Sequence, residues 1–227
     1  MTRARDELVA RVTRNLAAVR ERIAATGKDP SEVTVVAVTK TFGPDAALAA
    51  LAAGLVDVGE SYAAELVATH DAVGPSPLTW HFLGALQRNK LARLAPRVDV
   101  YQGVASPREA DAVAARAAGA RCFVQVDVAG LPGRNGCAPA ATASVVAAAR
   151  DAGLAVEGLM CVASEDPVRA AAEFGALRHA ADALGLEGCS MGMSGDYEAA
   201  CAHGATMLRL GTALFGRRPS RPGPVVA

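Results

Sequence analysis

The pattern of apolar positions is most regular between Val33 and Lys40, where a run of apolar, largely β-branched residues ends in a lysine. A short run of this kind is typical of a strand that is buried on both faces, as in a parallel sheet. Gly43 and Pro44 follow, and proline is favoured at the first position of a helix. The pattern therefore predicts a buried strand and a strand-to-helix turn, with Lys40 where the strand ends.

The same strand-and-helix unit recurs along the chain. Eight strand candidates alternate with helix candidates, which is the outline of a parallel (β/α)8 barrel. A flavodoxin-like sheet would have about five strands, so the number of strands favours closure. The predicted strands cover residues 33–40, 55–61, 78–84, 98–104, 122–128, 156–162, 188–193 and 206–211, the last running on to 216. The predicted helices cover residues 44–53, 62–73, 89–94, 107–118, 139–151, 167–184 and 195–202.

An additional amphipathic helix precedes the first strand. Residues 3–26 carry apolar side chains at steps of three and four, from Leu8 to Ile23, with charged residues on the other face. We expect this helix to cap the bottom of the barrel. The sequence thus predicts a single (β/α)8 TIM-barrel domain over residues 1–227, with an extra N-terminal helix and a flexible tail at 217–227 that is rich in proline and arginine.

Composition and charge narrow the range of functions. The 227 residues are 52% hydrophobic with a formal net charge of zero, which argues against nucleic acid as a partner. No apolar run approaches the roughly 20 residues of a membrane helix, and the N-terminus lacks the apolar core of a signal peptide. We therefore expect a cytoplasmic protein without a membrane partner. The five cysteines include no C-x-x-C pair and are expected to be small buried hydrophobes, not metal ligands.

Lys40 is the first candidate for chemistry. An ammonium at the end of a buried strand is partly removed from water, which lowers its pKa and exposes the neutral amine, a nucleophile for aldehydes. The alternative is a solvated charge at a strand end, which is the commoner case when this segment is considered alone.

Two loops near the carboxyl ends of the predicted strands are suited to an anion. Barrels of this type often bind phosphate at the loops after strands seven and eight. The first loop, Ser190–Asp196, supplies two hydroxyls, glycines and Ser194 as a candidate N-cap, and the second supplies Gly211 and Thr212. Each loop alone is an ordinary turn, but the two together favour a phosphate site.

Two further polar residues lie within predicted strands. Arg209 interrupts an apolar run, and a guanidinium in that position needs a partner. Arg209 either forms an ion pair with a neighbouring acid, such as Asp127 or Glu157, or acts as a hydrogen-bond donor that points into the barrel mouth. His81 is either a hydrogen-bonded core residue or a ligand contact.

A lysine at the barrel mouth, a phosphate cradle on the opposite rim and an arginine between them suggest one ligand. It would be an aromatic phosphate with an aldehyde that the lysine holds as a Schiff base. Pyridoxal 5′-phosphate (PLP) has all three groups and is the predicted cofactor.

Six sequence blocks then identify a family. They are Ala37–Thr41, Gly59–Tyr62, Trp80–Lys90, Gly158–Met160, Ser190–Asp196 and Arg209–Gly216. In this order they resemble the YggS/PROSC family of pyridoxal phosphate homeostasis proteins. The similarity spans almost the whole chain, and the family fold is a single barrel similar to the N-terminal domain of alanine racemase.

The resemblance implies a role for each candidate residue. Lys40 would form the internal aldimine with PLP, Arg209 would face the pyridine nitrogen, and the two loops would hold the phosphate. Position 61 departs from the family, because Ser61 is shorter than the usual asparagine and lacks its amide donor. The implied cofactor-binding residues are Lys40, Ser61, His81, Ser190, Met193, Ser194, Arg209, Gly211 and Thr212.

The resemblance also implies a carrier that stores or delivers PLP without substrate turnover, with apo forms of PLP-dependent enzymes as expected partners and a monomeric state. The alternative is a PLP-dependent racemase or related amino-acid enzyme. An arginine leaves the ring nitrogen unprotonated, which weakens the ring as an electron sink. The second base of alanine racemase comes from another domain, whereas this sequence predicts a single barrel domain. Both points favour the carrier, with at most trace activity. An aldolase that uses a barrel lysine without a cofactor is a third, more distant alternative.

Overall fold

The computed structural model describes residues 3–130 and 133–217. Within them, eight parallel strands form a closed barrel in sequence order, and the last strand pairs with the first. This confirms the predicted (β/α)8 TIM barrel with an extra N-terminal helix. The strands are β1 (Thr34–Val38), β2 (Asp57–Glu60), β3 (Thr79–Phe82), β4 (Val100–Val104), β5 (Arg121–Gln125), β6 (Ala155–Met160), β7 (Gly188–Ser190) and β8 (Met207–Leu210). The helices are α1 (Arg3–Ala25), α2 (Pro44–Ala52), α3 (Ala63–Val73), α4 (Arg88–Leu94), α5 (Pro107–Ala114), α6 (Thr142–Asp151), α7 (Pro167–Ala183), α8 (Tyr197–Ala202) and α9 (Thr212–Phe215).

The strands contribute to two separate apolar cores, because successive residues of a strand face opposite sides of the sheet. The outer faces pack against the helices in one large core. The inner faces form a smaller core on the barrel axis, which includes Val36, Phe123 and Met160. Since Val36 faces the axis, the alternation also directs Val38 and Lys40 to the inner side.

The N-terminal helix α1 packs against the side of the barrel. It contacts α2, α8 and α9 through the apolar face that includes Leu16 and Ile23, and Asn15 Nδ2 donates to the Leu214 carbonyl at 2.8 Å. The expectation that this helix caps the bottom is wrong. The helix after β8 has four residues, too few to cover the seam between β8 and β1, and α1 covers that seam instead.

The eighth strand is shorter than predicted. It ends at Leu210, and residues 212–215 form α9 where the sequence suggested continuing strand. A short apolar run does not distinguish a strand from a buried helix, and Leu214 and Phe215 are buried in this helix. The turn brings the first residues of α9 to the barrel mouth. The tail predicted to be flexible begins at 217, and residues 218–227 of it lie outside the described residues.

All five cysteines are buried and unpaired by disulfides, as predicted. Burial raises the pKa of Cys122 and of Cys161 to about 12, so these thiols stay protonated near neutral pH. No helix in residues 3–130 and 133–217 is both long and apolar enough to cross a membrane. In the same part of the chain, no group of three His, Cys, Asp or Glu side chains could hold a metal ion.

Candidate functional site

A cavity of about 450 Å³ opens at the carboxyl ends of the strands, the face where barrels of this type bind ligands. Its volume lies within the roughly 300–1,000 Å³ of small-molecule sites. Among the predicted site residues, those that line it are Lys40, Ser61, Met193, Ser194, Arg209, Gly211 and Thr212. The remaining lining residues are Val38, Leu83, Met160, Val162 and Gly195. The fold therefore collects the predicted lysine, arginine and phosphate loops around one space.

Lys40 lies in a constrained loop between β1 and α2. The next residue, Thr41, has a φ of +71°, which is rare for a residue other than glycine. Two contacts hold this conformation: the Thr41 N–H donates to Glu65 Oε2 at 3.1 Å, and the rings of Phe42 and Phe215 pack with centroids 5.1 Å apart. The loop thus presents a half-buried Lys40 to the cavity from a defined position.

Backbone amides and hydroxyls converge on the other side of the cavity. Ser194 Oγ accepts from the Gly211 N–H at 3.3 Å and from the Ala213 N–H at 3.0 Å. Thr212, between these two amides, adds a second hydroxyl to the lining. Because Ser194 Oγ accepts both N–H groups, its hydroxyl hydrogen remains to be donated to an anion in the cavity.

The loop that carries Ser194 depends on the glycine at position 192. Gly192 has a φ of +92°, and a Cβ there would lie 2.7 Å from the Ala200 Cβ and 2.9 Å from the Leu208 Cδ2. Its carbonyl accepts from the Arg209 N–H at 3.0 Å. The turn that connects β7 to Ser194 therefore has no room for a side chain at position 192.

We expect Gly192→Ala to lower the free energy of unfolding by roughly 3 kcal/mol, because it combines left-handed backbone strain with overpacking. Gly195→Ala is the matched control in the same loop, since no heavy atom lies within 4 Å of its added Cβ. We expect the control to cost less than about 1 kcal/mol. Urea unfolding of both variants measures the difference, and equal losses would contradict the steric argument.

Arg209 borders the cavity from within the barrel. It is 5% exposed, and its Nη1 and Nη2 donate to Ser190 Oγ at 2.7 Å and to the Cys161 carbonyl at 2.6 Å. Burial lowers the pKa of the guanidinium. Both of these partners are neutral, so the residue is a buried cation beside the cavity.

The ion pair considered for Arg209 is formed with neither Glu157 nor Asp127. Glu157 pairs with Arg121 instead, and Asp127 accepts the backbone N–H of Gly130 at 3.0 Å. The geometry thus favours the alternative in which the Arg209 side chain is a donor at the barrel mouth.

Two predicted site residues, His81 and Ser190, lie in the barrel interior and not on the cavity surface. Both are 0% exposed, and the cavity lining includes neither. The His81 ring nitrogens contact Asp57 Oδ1 at 2.9 Å and Gln102 Nε2 at 2.8 Å. Ser190 Oγ contacts Arg209 and Gln102. A direct ligand contact from these two residues stays a prediction, and their observed partners are other side chains of the barrel.

A buried carboxyl group lies behind the lysine loop. Glu60 is 1% exposed, and its Oε1 accepts from the Thr39 hydroxyl at 2.7 Å. Burial raises the pKa of Glu60 to about 7, against the opposing hydrogen bond from Thr39. Strand alternation turns Thr39 and Glu60 toward the helices while Lys40 and Ser61 face the cavity. Glu60 therefore supports the loop from outside the barrel.

Comparisons with known proteins agree on one family. Residues 9–219 match the family described as alanine racemase, N-terminal domain. A pyridoxal phosphate homeostasis protein of Pseudomonas aeruginosa is 38% identical over 211 residues, covering 89% of this chain and 92% of that protein. The structure of PipY from Synechococcus elongatus PCC7942, with PLP bound, matches with a TM-score of 0.80 and 30% identity, covering 90% of this chain and 100% of that one.

A more distant likeness concerns the fold alone. An alanine racemase of Clostridium difficile 630 matches with a TM-score of 0.70 and 17% identity, covering 93% of this chain and 58% of that one. The barrel is thus common to both, and the rest of that racemase lies outside the match.

Proposed function

We propose that this chain, which belongs to the pyridoxal phosphate homeostasis proteins of the alanine racemase N-terminal-domain family, binds PLP and holds it for delivery without turning over a substrate. The observation that carries the proposal is the single cavity that Lys40, Arg209 and Ser194 all line. These residues suit the three recognisable groups of PLP, namely its aldehyde, its ring nitrogen and its phosphate.

PLP, when bound, supplies an aldehyde that a primary amine captures as a Schiff base. Lys40 would supply this amine and so hold PLP covalently, with water as the other product. The constrained loop at Thr41 holds the lysine backbone, so the amine meets the ligand without reordering of the loop.

The other lining groups bind without a covalent bond. The Ser194 and Thr212 hydroxyls line the cavity and would donate to the phosphate. The N–H groups of Gly211 and Ala213 donate to Ser194 Oγ and so orient that hydroxyl. Arg209 would face the ring nitrogen of PLP, and because a guanidinium donates but does not accept, it would favour an unprotonated nitrogen there.

The same side chains argue against catalysis. Racemisation needs a second base on the opposite face of the cofactor from the lysine. Apart from Lys40, the described side chains that line the cavity are apolar, hydroxyl or guanidinium groups, and none of these is a base near neutral pH. An unprotonated ring nitrogen further weakens the electron sink. We therefore propose a carrier and not an enzyme, and we further propose that it acts as a monomer.

A binding and turnover experiment tests this function. Purified protein titrated with PLP should develop the absorbance of a Schiff base and retain the cofactor through gel filtration. Racemase and transaminase assays with common amino acids should give no more than trace rates. Turnover with a kcat on the order of 1 s⁻¹ or more would show that the protein is an enzyme and not a carrier. Failure to bind PLP would contradict both functions.

Delivery has its own measurement. We expect the PLP-loaded protein, mixed with the apo form of a PLP-dependent enzyme, to lose its Schiff-base absorbance as the enzyme regains activity. Free PLP at the concentration released by the loaded protein alone is the control. Reactivation no faster than with that free PLP would argue against direct delivery.

A further inference from the structure

We propose that Asp57 and His81 are positioning residues for Arg209, and that they act through a one-way chain of hydrogen bonds across the barrel interior. Asp57 begins β2, at the end of the barrel opposite the cavity, whereas Arg209 lines the cavity. The proposal rests on the proposed function, because the orientation of Arg209 matters there for holding PLP.

Five side chains on five different strands form the relay. Arg209 Nη1 donates to Ser190 Oγ at 2.7 Å, and the Ser190 hydroxyl donates to Gln102 Oε1 at 2.6 Å. Gln102 Nε2 lies 2.8 Å from His81 Nδ1, and His81 Nε2 lies 2.9 Å from Asp57 Oδ1. The Ser190, Gln102 and His81 side chains are 0% exposed. Water therefore does not compete for these bonds.

The carboxylate at the far end determines the direction of every bond. The Asp57 carboxylate accepts from His81 Nε2, and His81 Nδ1 faces the Gln102 NH₂ group, so the ring carries its hydrogen on Nε2 and a lone pair on Nδ1. That lone pair accepts from the Gln102 NH₂ group, which turns the amide oxygen toward Ser190. The serine hydrogen is then used on that oxygen, and the lone pairs of Ser190 remain for Arg209.

The relay offsets part of the free-energy cost of burying the Arg209 guanidinium. A buried guanidinium is unfavourable unless charge or dipoles compensate it, and its two hydrogen-bond partners, Ser190 and the Cys161 carbonyl, are neutral. Hydrogen bonds that all run in one direction polarise one another. The relay thus connects the cation to the Asp57 carboxylate, whose side chain is 21% exposed and still partly hydrated.

Removal of the carboxylate is expected to reverse the relay. Without Asp57, His81 can carry its hydrogen on Nδ1 and donate to the oxygen of Gln102. The amide must then turn over and direct its NH₂ group at Ser190. The serine hydroxyl loses its acceptor and has to turn its hydrogen elsewhere, at the expense of the lone pair that Arg209 uses. The guanidinium loses a defined partner at the cavity, although the altered residue lies at the other end of the barrel.

Nitrogen NMR of the cofactor-free protein tests the relay directly. The chain has four histidines, and His81→Gln assigns the signal of His81. We expect the wild-type His81 ring to carry its hydrogen on Nε2 and to accept at Nδ1. In Asp57→Ala we expect the tautomer equilibrium of His81 and the guanidinium signals of Arg209 to shift together. A shift at His81 without any change at Arg209 would overturn the proposal.

A double-mutant cycle on PLP affinity gives the second readout. Asp57→Ala and Ser190→Ala should each raise the Kd at least about fivefold, equivalent to roughly 1 kcal/mol for one lost hydrogen-bond partner. The double variant should bind no more weakly than Ser190→Ala, because that substitution already breaks the relay. Sites without a shared network usually give additive effects, so additivity would overturn the proposal.

Asp99→Ala is the matched control. Asp99 lies at the same end of the barrel and accepts the Trp80 N–H at 2.7 Å, outside the relay. We expect this variant to bind PLP as the wild type does, and an equal loss of affinity would count against the relay. If the wild type does not bind PLP, the proposed function fails, while the NMR experiment on the cofactor-free protein still decides whether Asp57 orients Arg209.

Discussion

Replacing Lys40 with alanine is expected to abolish covalent retention of PLP. A Schiff base requires a primary amine at the cavity, and alanine has none, so the remaining groups can hold PLP only by reversible contacts. After incubation with PLP and reduction with borohydride, the wild type should carry the cofactor on the peptide that contains Lys40. The variant should carry none, and its bound PLP should be lost on gel filtration. Peptide mass spectrometry measures both outcomes.

The small number of lysines makes this experiment decisive. The sequence contains three, Lys28, Lys40 and Lys90. Lys28 pairs with Glu32 at 3.3 Å, and Lys90 is exposed beside a separate cavity. Lys28→Ala and Lys90→Ala are therefore matched controls that should retain the adduct at Lys40. A full-strength adduct in Lys40→Ala, placed on another lysine, would show that the amine was misassigned.

The barrel could be predicted from the sequence because each strand is a short apolar run bounded by turn residues. Burial on both faces makes such runs unambiguous when they alternate with helices. The prediction was wrong near residue 212, where the apolar run continues but the backbone turns into α9. It was also wrong about the packing of α1, because the length of the helix after β8 decides which gap α1 must cover.

The sequence predicted which loops form the site, but not how far below the barrel mouth each inward-facing side chain lies. Alternation along a strand indicates which side chains face the axis, and it places Lys40 and Arg209 on the same side. How deep an inward side chain lies depends on the stagger between neighbouring strands, such as the pairing of Met160 with Ser190. A single sequence does not contain that register. His81 and Ser190, which the resemblance placed among the cofactor-binding residues, therefore lie in the barrel interior.

The apolar residues that line the cavity could not be identified from the sequence. Leu83, Met160 and Val162 line it, but their sequence contexts are those of any core strand. Glu60 is comparable, since an acid after a glycine is typical of a surface turn. Its burial became visible only when β2 was packed against the helices, and its electrostatics lead to a prediction with a clear sign.

The stability of the protein is expected to fall as the pH rises from about 4.5 to about 7 through the ionisation of Glu60. The folded state raises the pKa of Glu60 from 4.5 to about 7, chiefly by burial. Between these values the folded protein keeps a proton that the unfolded chain has released, so rising pH favours unfolding. The accumulated cost is about 3 kcal/mol and is complete above about pH 7. It adds to whatever other groups contribute.

Glu60→Gln should remove this contribution. A glutamine keeps the acceptor for the Thr39 hydroxyl but cannot ionise, so its free energy of unfolding should lose about 3 kcal/mol less than the wild type between about pH 4.5 and about pH 8. Urea unfolding at several pH values measures the difference in slope, which is independent of any constant cost of the new NH₂ group. Thr39→Val provides the opposite test, because it deletes the hydrogen bond that lowers the pKa of Glu60 in the folded state. The loss of stability should then continue to a higher pH than in the wild type, while its onset stays the same. Parallel curves for wild type and Glu60→Gln would mean that Glu60 does not titrate in this range.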